Sequence, residues 1–179
     1  MISQYCKLLQ TFQCQPNDEL STYFSAHAEQ IDTLIQLYNE YNHRILTLQE
    51  ARLSKIKAEI EHITNDRQWQ NNEGLELEYH YPYPSISIEA GFESANGDPF
   101  AKFNIYITTP SIQSWNHYED KLLSTYPDKD PQIADNKTLL LINSIPGHEN
   151  EPILKVLRSA YAFLSSLTFI KISYPLTSH

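Results

Sequence analysis

The sequence predicts an α+β fold: a long N-terminal helical arm, then a three-stranded antiparallel meander, a helix, a strand and a helix. Three observations carry this. Neither glycine nor proline occurs between Asp18 and Glu73, so nothing there forces a helix to stop. Between Leu75 and Ile107 apolar and polar residues alternate with a period of two, as half-buried strands do. After Asn150, the residues Ile153, Val156, Leu157, Ala160, Phe163, Leu164 and Leu167 return to helical spacing. Strands grouped together, with helices before and after, give α+β rather than an alternating α/β order. The expected division is a helical arm over 1–70 and an α+β domain over 71–179.

Taken in order, Ile2, Tyr5, Cys6, Leu9 and Phe12 recur at steps that suit a short amphipathic helix, which Pro16 and Asn17 end. Asp18 is placed to cap the next helix. Along that helix Ile31, Leu34, Tyr38, Tyr41, Ile45 and Leu48 alternate steps of three and four, which is coiled-coil spacing. The register then slips to Leu53, Ile56, Ile60 and Ile63. One continuous or kinked helix to about Asp66 is preferred over a hairpin broken at Asn39–His43. At 1.5 Å per residue, about 45 helical residues would run roughly 65–70 Å. That exceeds what one domain of this size covers, so the arm is expected to meet a partner or a second copy of the chain.

Asn71 to Gly74 reads as a turn. Leu75, Leu77, Tyr79, Tyr81 and Tyr83 then form one face of a first strand, opposite Glu76, Glu78 and His80. Pro82 and Pro84 make its end an edge or a bend. Ile86, Ile88, Ala90 and Phe92 face away from Ser85, Ser87 and Glu89 in a second strand. Asn96-Gly97 is a strong hairpin signal, leading to Phe103, Ile105 and Ile107 opposite Lys102, Asn104 and Tyr106. Ser111 or Ser114 caps a helix bearing Ile112, Trp115, Leu122 and Tyr126. Pro127 to Gln132 is a polar loop, Leu139 to Ile145 a buried strand, and Asn150 caps the last helix, with Pro152 in its first turn. Thr168 to Tyr174 either extends that helix or adds a strand.

Composition bounds the function more than it names one. The 179 residues carry a net charge of −9. From Asn71 to Asn150 there are 12 acidic residues against four basic ones (Lys102, Lys121, Lys129, Lys137), a balance of −8. Such a surface is poorly suited to a phosphate backbone or an anionic membrane, and well suited to a basic protein. Cys6 and Cys14 are too far apart on one helix to bridge, and free thiols with no framework spacing suit a reducing, cytoplasmic setting. No signal peptide and no membrane span is expected. The four glycines, Gly74, Gly91, Gly97 and Gly147, form neither a dinucleotide fingerprint nor a phosphate loop. The seven histidines are scattered and no two cysteines have metal-ligand spacing. No cofactor and no dedicated metal site is expected.

One constellation stands out. If the three strands pair as a meander, Glu76, Glu78, His80, Glu89, Lys102, Asn104 and Tyr106 share its polar face. Two carboxylates can hold a divalent cation, and a nearby lysine can activate water or stabilise a developing anion. A wet sheet face with cross-strand charge pairs is the simpler account. The order helix, three strands, helix, strand resembles the restriction-endonuclease-like core. That resemblance implies a degenerate or active metal-dependent nuclease or hydrolase using Glu78, Glu89 and Lys102. The family's third strand carries an acidic residue two before its lysine, where this chain has Phe100. The favoured expectation is a non-catalytic interaction module that binds or neutralises a protein, as immunity proteins, antitoxins and secretion chaperones do. Glu76, Glu78, His80, Tyr81, Tyr83 and Glu89 would form its partner surface, since clustered tyrosines suit interfaces. A structural coiled-coil dimer through the long helix is the further alternative.

Overall fold

The computed structural model describes residues 18–72, 76–80, 85–134 and 137–167. The expected helix over Ile2–Phe12, both cysteines, Tyr81, Tyr83 and the segment after Leu167 lie outside them. The chain divides into two compact units, Met1–Arg44 and Ile45–His179.

Helix α1 (Asp18–Ala26) and helix α2 (Ala28–Thr64) are separated by His27 alone. Backbone bonds bridge the gap, with the His27 N–H donating to Tyr23 and the Ile31 N–H to the His27 carbonyl. Asn39–His43, where propensity is low, lies inside unbroken helix. α2 stops without glycine or proline: Asn65 adopts the left-handed conformation at φ 52. The Asp66 N–H then donates back to the Glu61 carbonyl at 3.2 Å, which is how a Schellman cap satisfies the last carbonyls.

The second unit holds a sheet with strands β1 (Trp69–Asn72), β2 (Glu76–His80), β3 (Ser87–Ala95), β4 (Asp98–Thr109), β5 (Gln132–Ala134) and β6 (Lys137–Ile145). Their order is β1-β2-β3-β4-β6-β5, and every pairing is antiparallel. Helices α3 (Ile112–Thr125) and α4 (Asn150–Ser165) complete it. The α+β class and element order follow the sequence, with the meander lengthened by β1 and a β5–β6 hairpin added beyond α3. Trp69–Asn72 has no alternation of its own. It becomes a strand because β2 offers an edge, and because Trp69 is buried against the Tyr79 ring at a centroid distance of 4.9 Å.

Period-two pleating sends Leu77, Tyr79, Ile88, Ala90, Phe103, Ile105, Ile107, Leu140 and Ile142 into one buried core. Leu53, Ile56 and Ile60 of α2, Trp115 and Leu122 of α3, and Ile153, Leu157, Ala160 and Leu164 of α4 complete that core. At the β3–β4 turn, Asn96 and Gly97 both take positive φ, 53 and 82, as a type I′ turn requires. β6 carries one extra residue opposite the Ile105–Tyr106 step, a bulge that shifts its faces. Ser111 caps α3, its hydroxyl accepting from the Ser114 N–H at 3.2 Å. Asn150 does not cap α4. Its Oδ1 instead accepts from Arg52 Nη2 at 3.1 Å, and Glu149 occupies the cap position without a side-chain bond. No helix among the described residues is long and apolar enough to cross a membrane.

Two contacts pin this unit together. The Asp66 carboxylate just beyond α2 accepts from Tyr79 of β2 at 2.8 Å and from Tyr161 of α4 at 3.1 Å. Burial, then Asp66 itself, push the Tyr79 phenol upward, so it stays a donor. At Gly147 an added Cβ would lie 2.6 Å from the Phe100 carbonyl oxygen, the acceptor of the Gly147 N–H at 3.0 Å. Asp66→Ala leaves two phenols without their acceptor and is expected to destabilise by about 2–3 kcal/mol in urea unfolding. Gly147→Ala forces backbone apart and is expected to lower stability by about 1–3 kcal/mol. An unchanged urea midpoint for either variant would show that its contact is dispensable.

Candidate functional site

The pleating that buries Leu77, Tyr79, Ile88 and Ala90 places Glu76, Glu78 and His80 of β2, and Glu89 of β3, on the opposite face. Glu78 stands directly across from Glu89 in the β2–β3 register. One carboxylate oxygen from each of Glu76, Glu78 and Glu89 can be chosen so that all lie within 4.8 Å of one another. Glu78 and Glu89 are buried although they sit on the polar side. Glu76 is exposed and borders a concavity of ≈ 340 Å³ that also touches Glu89, Phe92, Asn104, Tyr106 and Gln132.

Each buried carboxylate has partners. His80 Nε2 donates to Glu78 Oε2 at 2.7 Å. Lys137 Nζ lies 3.1 Å from Glu89 Oε1, and the Thr108 hydroxyl donates to that same oxygen at 2.9 Å. Because Thr108 spends its proton on Glu89, Ser87 is the donor in the 2.6 Å Ser87–Thr108 contact. The bond to Glu89 holds the Lys137 ammonium above its ordinary value; burial opposes this, and the charges of Glu89, Glu78 and Glu76 reinforce it. Glu76 is raised by burial first, then by Glu89 and Glu78, with Lys137 opposing.

Two carboxylates 4.8 Å apart repel by roughly 3 kcal/mol at an effective dielectric of about 20. Three such charges against the half-exposed Lys137 ammonium leave a local balance of −2 among the described residues, histidine not counted. The site therefore favours a further cation over the concavity. That cation can be a partner's lysine or arginine, or a divalent ion, because carboxylate oxygens suit both.

Of the residues the sequence singled out, Glu76, Glu78, His80 and Glu89 come together. Lys102 does not join them. It faces Glu93 in the β3–β4 register and pairs with it at 3.3 Å, while Glu89 faces Tyr106. The four-residue offset from Tyr106 is about 13 Å along an extended strand. Asn104 also donates to Glu93, at 2.8 Å, and this bond ahead of Lys102 keeps the Glu93 carboxyl low. The lysine that does reach Glu89, Lys137, comes from β6, and no local spacing signalled it. Its role depends on β6 pairing beside β4, as in the Thr108–Leu139 register.

Since the folded state raises Glu76, it binds that proton more tightly than the unfolded chain, and stability falls as pH rises through the elevated value. Glu76→Gln is expected to raise the melting temperature at pH 7. The gain should shrink away as pH falls below the ordinary value of 4.5, where both states are protonated. Thermal scans across pH 3.5–8 check this, and a variant less stable at pH 7 would contradict the account. No family model matches this chain, and no curated protein or solved structure is similar to it.

Proposed function

We propose that this protein is a non-catalytic interaction module whose open acidic sheet face takes a basic side chain from a protein partner. The carrying observation is the negative balance at Glu76, Glu78 and Glu89, set beside a concavity that also offers Tyr106, Asn104 and Gln132. A guanidinium or ammonium there would meet carboxylates on one side and a ring on the other, which is how interface arginines are commonly held. The −8 balance of residues 71–150 would steer a basic surface toward this face before contact. Binding of this kind serves neutralisation, as in immunity proteins, antitoxins and secretion chaperones. A cytoplasmic setting belongs to the same reading.

The second reading, a degenerate or active metal-dependent hydrolase, is favoured by the convergence of three carboxylates. In that reading Lys137, not Lys102, is the lysine beside Glu89.

A deca-arginine peptide separates the two by calorimetry. The interaction module is expected to bind it with an affinity that falls steeply between about 50 and 300 mM salt. Glu76→Gln with Glu89→Gln should weaken binding at least about ten-fold, or about 1.4 kcal/mol. The control variant Glu29→Gln with Glu151→Gln removes the same number of charges elsewhere and should bind as the parent does. Equal weakening by both pairs, or no binding, would overturn the proposal. Saturable uptake of Mn²⁺ that displaces the peptide, lost in Glu78→Gln, would move the assignment to the second reading.

A further inference from the structure

We propose that the stretch Ile31–Leu48 of α2 pairs with the same stretch of a second copy as a parallel, two-stranded coiled coil. The inference does not rest on the acidic sheet face. In heptad positions, Ile31, Tyr38 and Ile45 fall at a, and Leu34, Tyr41 and Leu48 at d. Leu34 is 57% exposed, and Tyr38, Tyr41 and Leu48 are also exposed, as are the flanking Ile35 and Leu37. Of the b, c and f positions, Asp32, Thr33, Gln36, Asn39, Glu40, His43 and Thr47 are polar, and the exposed Leu46 at b is the one apolar exception. The apolar band is therefore a seam along one side of the helix.

The period names the occupant. Apolar residues at steps of three and four average 3.5 residues, and a straight helix drifts off that repeat by about 20° per heptad. Only a partner that supercoils with it stays against such a seam, and another helix of the same repeat does so. Isoleucine at a with leucine at d, as in the two outer heptads around Tyr38 and Tyr41, favours two parallel strands. The flanking positions permit self-pairing. At g stand Gln30, Leu37 and Arg44, and at e stand Ile35 and Asn42, ahead of the buried Gln49, so a two-fold partner places no like charges opposite each other.

The area suffices. Six exposed apolar side chains at on the order of 100 Å² each give ~600 Å² per helix and ~1,200 Å² for the pair, the lower edge of a specific interface.

Adjacent residues show that this seam is separate from the core. Leu48 is 47% exposed while Gln49 is buried, and the buried set Gln49, Leu53, Ile56 and Ile60 lies one position out of step with the seam. One position is about 100° around a helix of 3.6 residues per turn. The register slip is thus the change from a seam to a core face.

Sedimentation of the full chain tests this. The expected mass is twice 20.8 kDa, and Leu34→Glu with Tyr38→Glu should raise the dissociation constant at least about ten-fold while far-UV circular dichroism is retained. Single cysteines in a Cys6→Ser, Cys14→Ser background give an independent readout. Leu34→Cys, at d, should form an interchain disulfide under mild oxidation, and Gln36→Cys, at f, should not. A mass of one chain at every concentration, as when residues 1–17 or a different protein cover the seam, overturns the proposal. So does association that survives the double variant, or cross-linking that favours Gln36→Cys.

Discussion

Pleating with a period of two ties the core of the sheet-bearing unit to its carboxylate cluster. Along β2 and β3, each apolar residue sent toward the helices obliges its neighbour to face the other way. Leu77 and Tyr79 therefore position Glu76, Glu78 and His80, and Ile88 and Ala90 position Glu89. A register slip by one residue would bury those carboxylates under α4 and expose the core set. Burial of Ile88, Ala90, Ile105 and Ile107 opposes that slip, so the hydrophobic effect sets the geometry of the charged face.

Among the described residues that geometry leaves an excess of negative charge. Glu78 and Glu89 are buried yet satisfied, through His80, Thr108 and Lys137. Glu76 is the exposed member, raised by burial and by its two like-charged neighbours. A surface can hold such a charge excess because water and salt screen it. The excess becomes an attraction once a cation displaces that water. Protein cations and metal ions both meet this condition.

Helix α2 serves two apolar surfaces with one backbone. From Gln49 to Ile60 it presents residues to the sheet's own core, and it ends on a left-handed Asn65 that delivers Asp66 to Tyr79 and Tyr161. Before Gln49 its residues Leu34, Ile35, Leu37, Tyr38, Tyr41, Leu46 and Leu48 are exposed, while Ile31 and Ile45 are half-buried. The proposed self-pairing uses the 3.5-residue repeat, with Arg44 the one charged residue among its e and g positions. Within the second unit, the exposed Leu48 and the buried Gln49 are one position apart.

Much of this was legible in residue order, and for local reasons. Alternation over Leu75–Ile107 identified three strands and which residues share a face, because side-chain direction in a strand depends only on parity. Asn96-Gly97 located the hairpin, since positive φ at two successive positions admits few residues. The uninterrupted helix from Ala28 followed from the absence of glycine and proline. Three features depended on tertiary contact. Trp69–Asn72 became a strand because β2 offered an edge and Trp69 found the Tyr79 ring, and Gln132–Ala134 because β6 offered an edge. Asn150 gave up the cap of α4 because Arg52, 98 residues earlier, took its side chain. Lys137, not Lys102, reached Glu89 because strand neighbours are set by how the sheet is ordered in space. The chain by itself determined which residues point the same way; which of them lie within a few ångströms was decided by pairing β4 with β6, a long-range contact that no local pattern encodes.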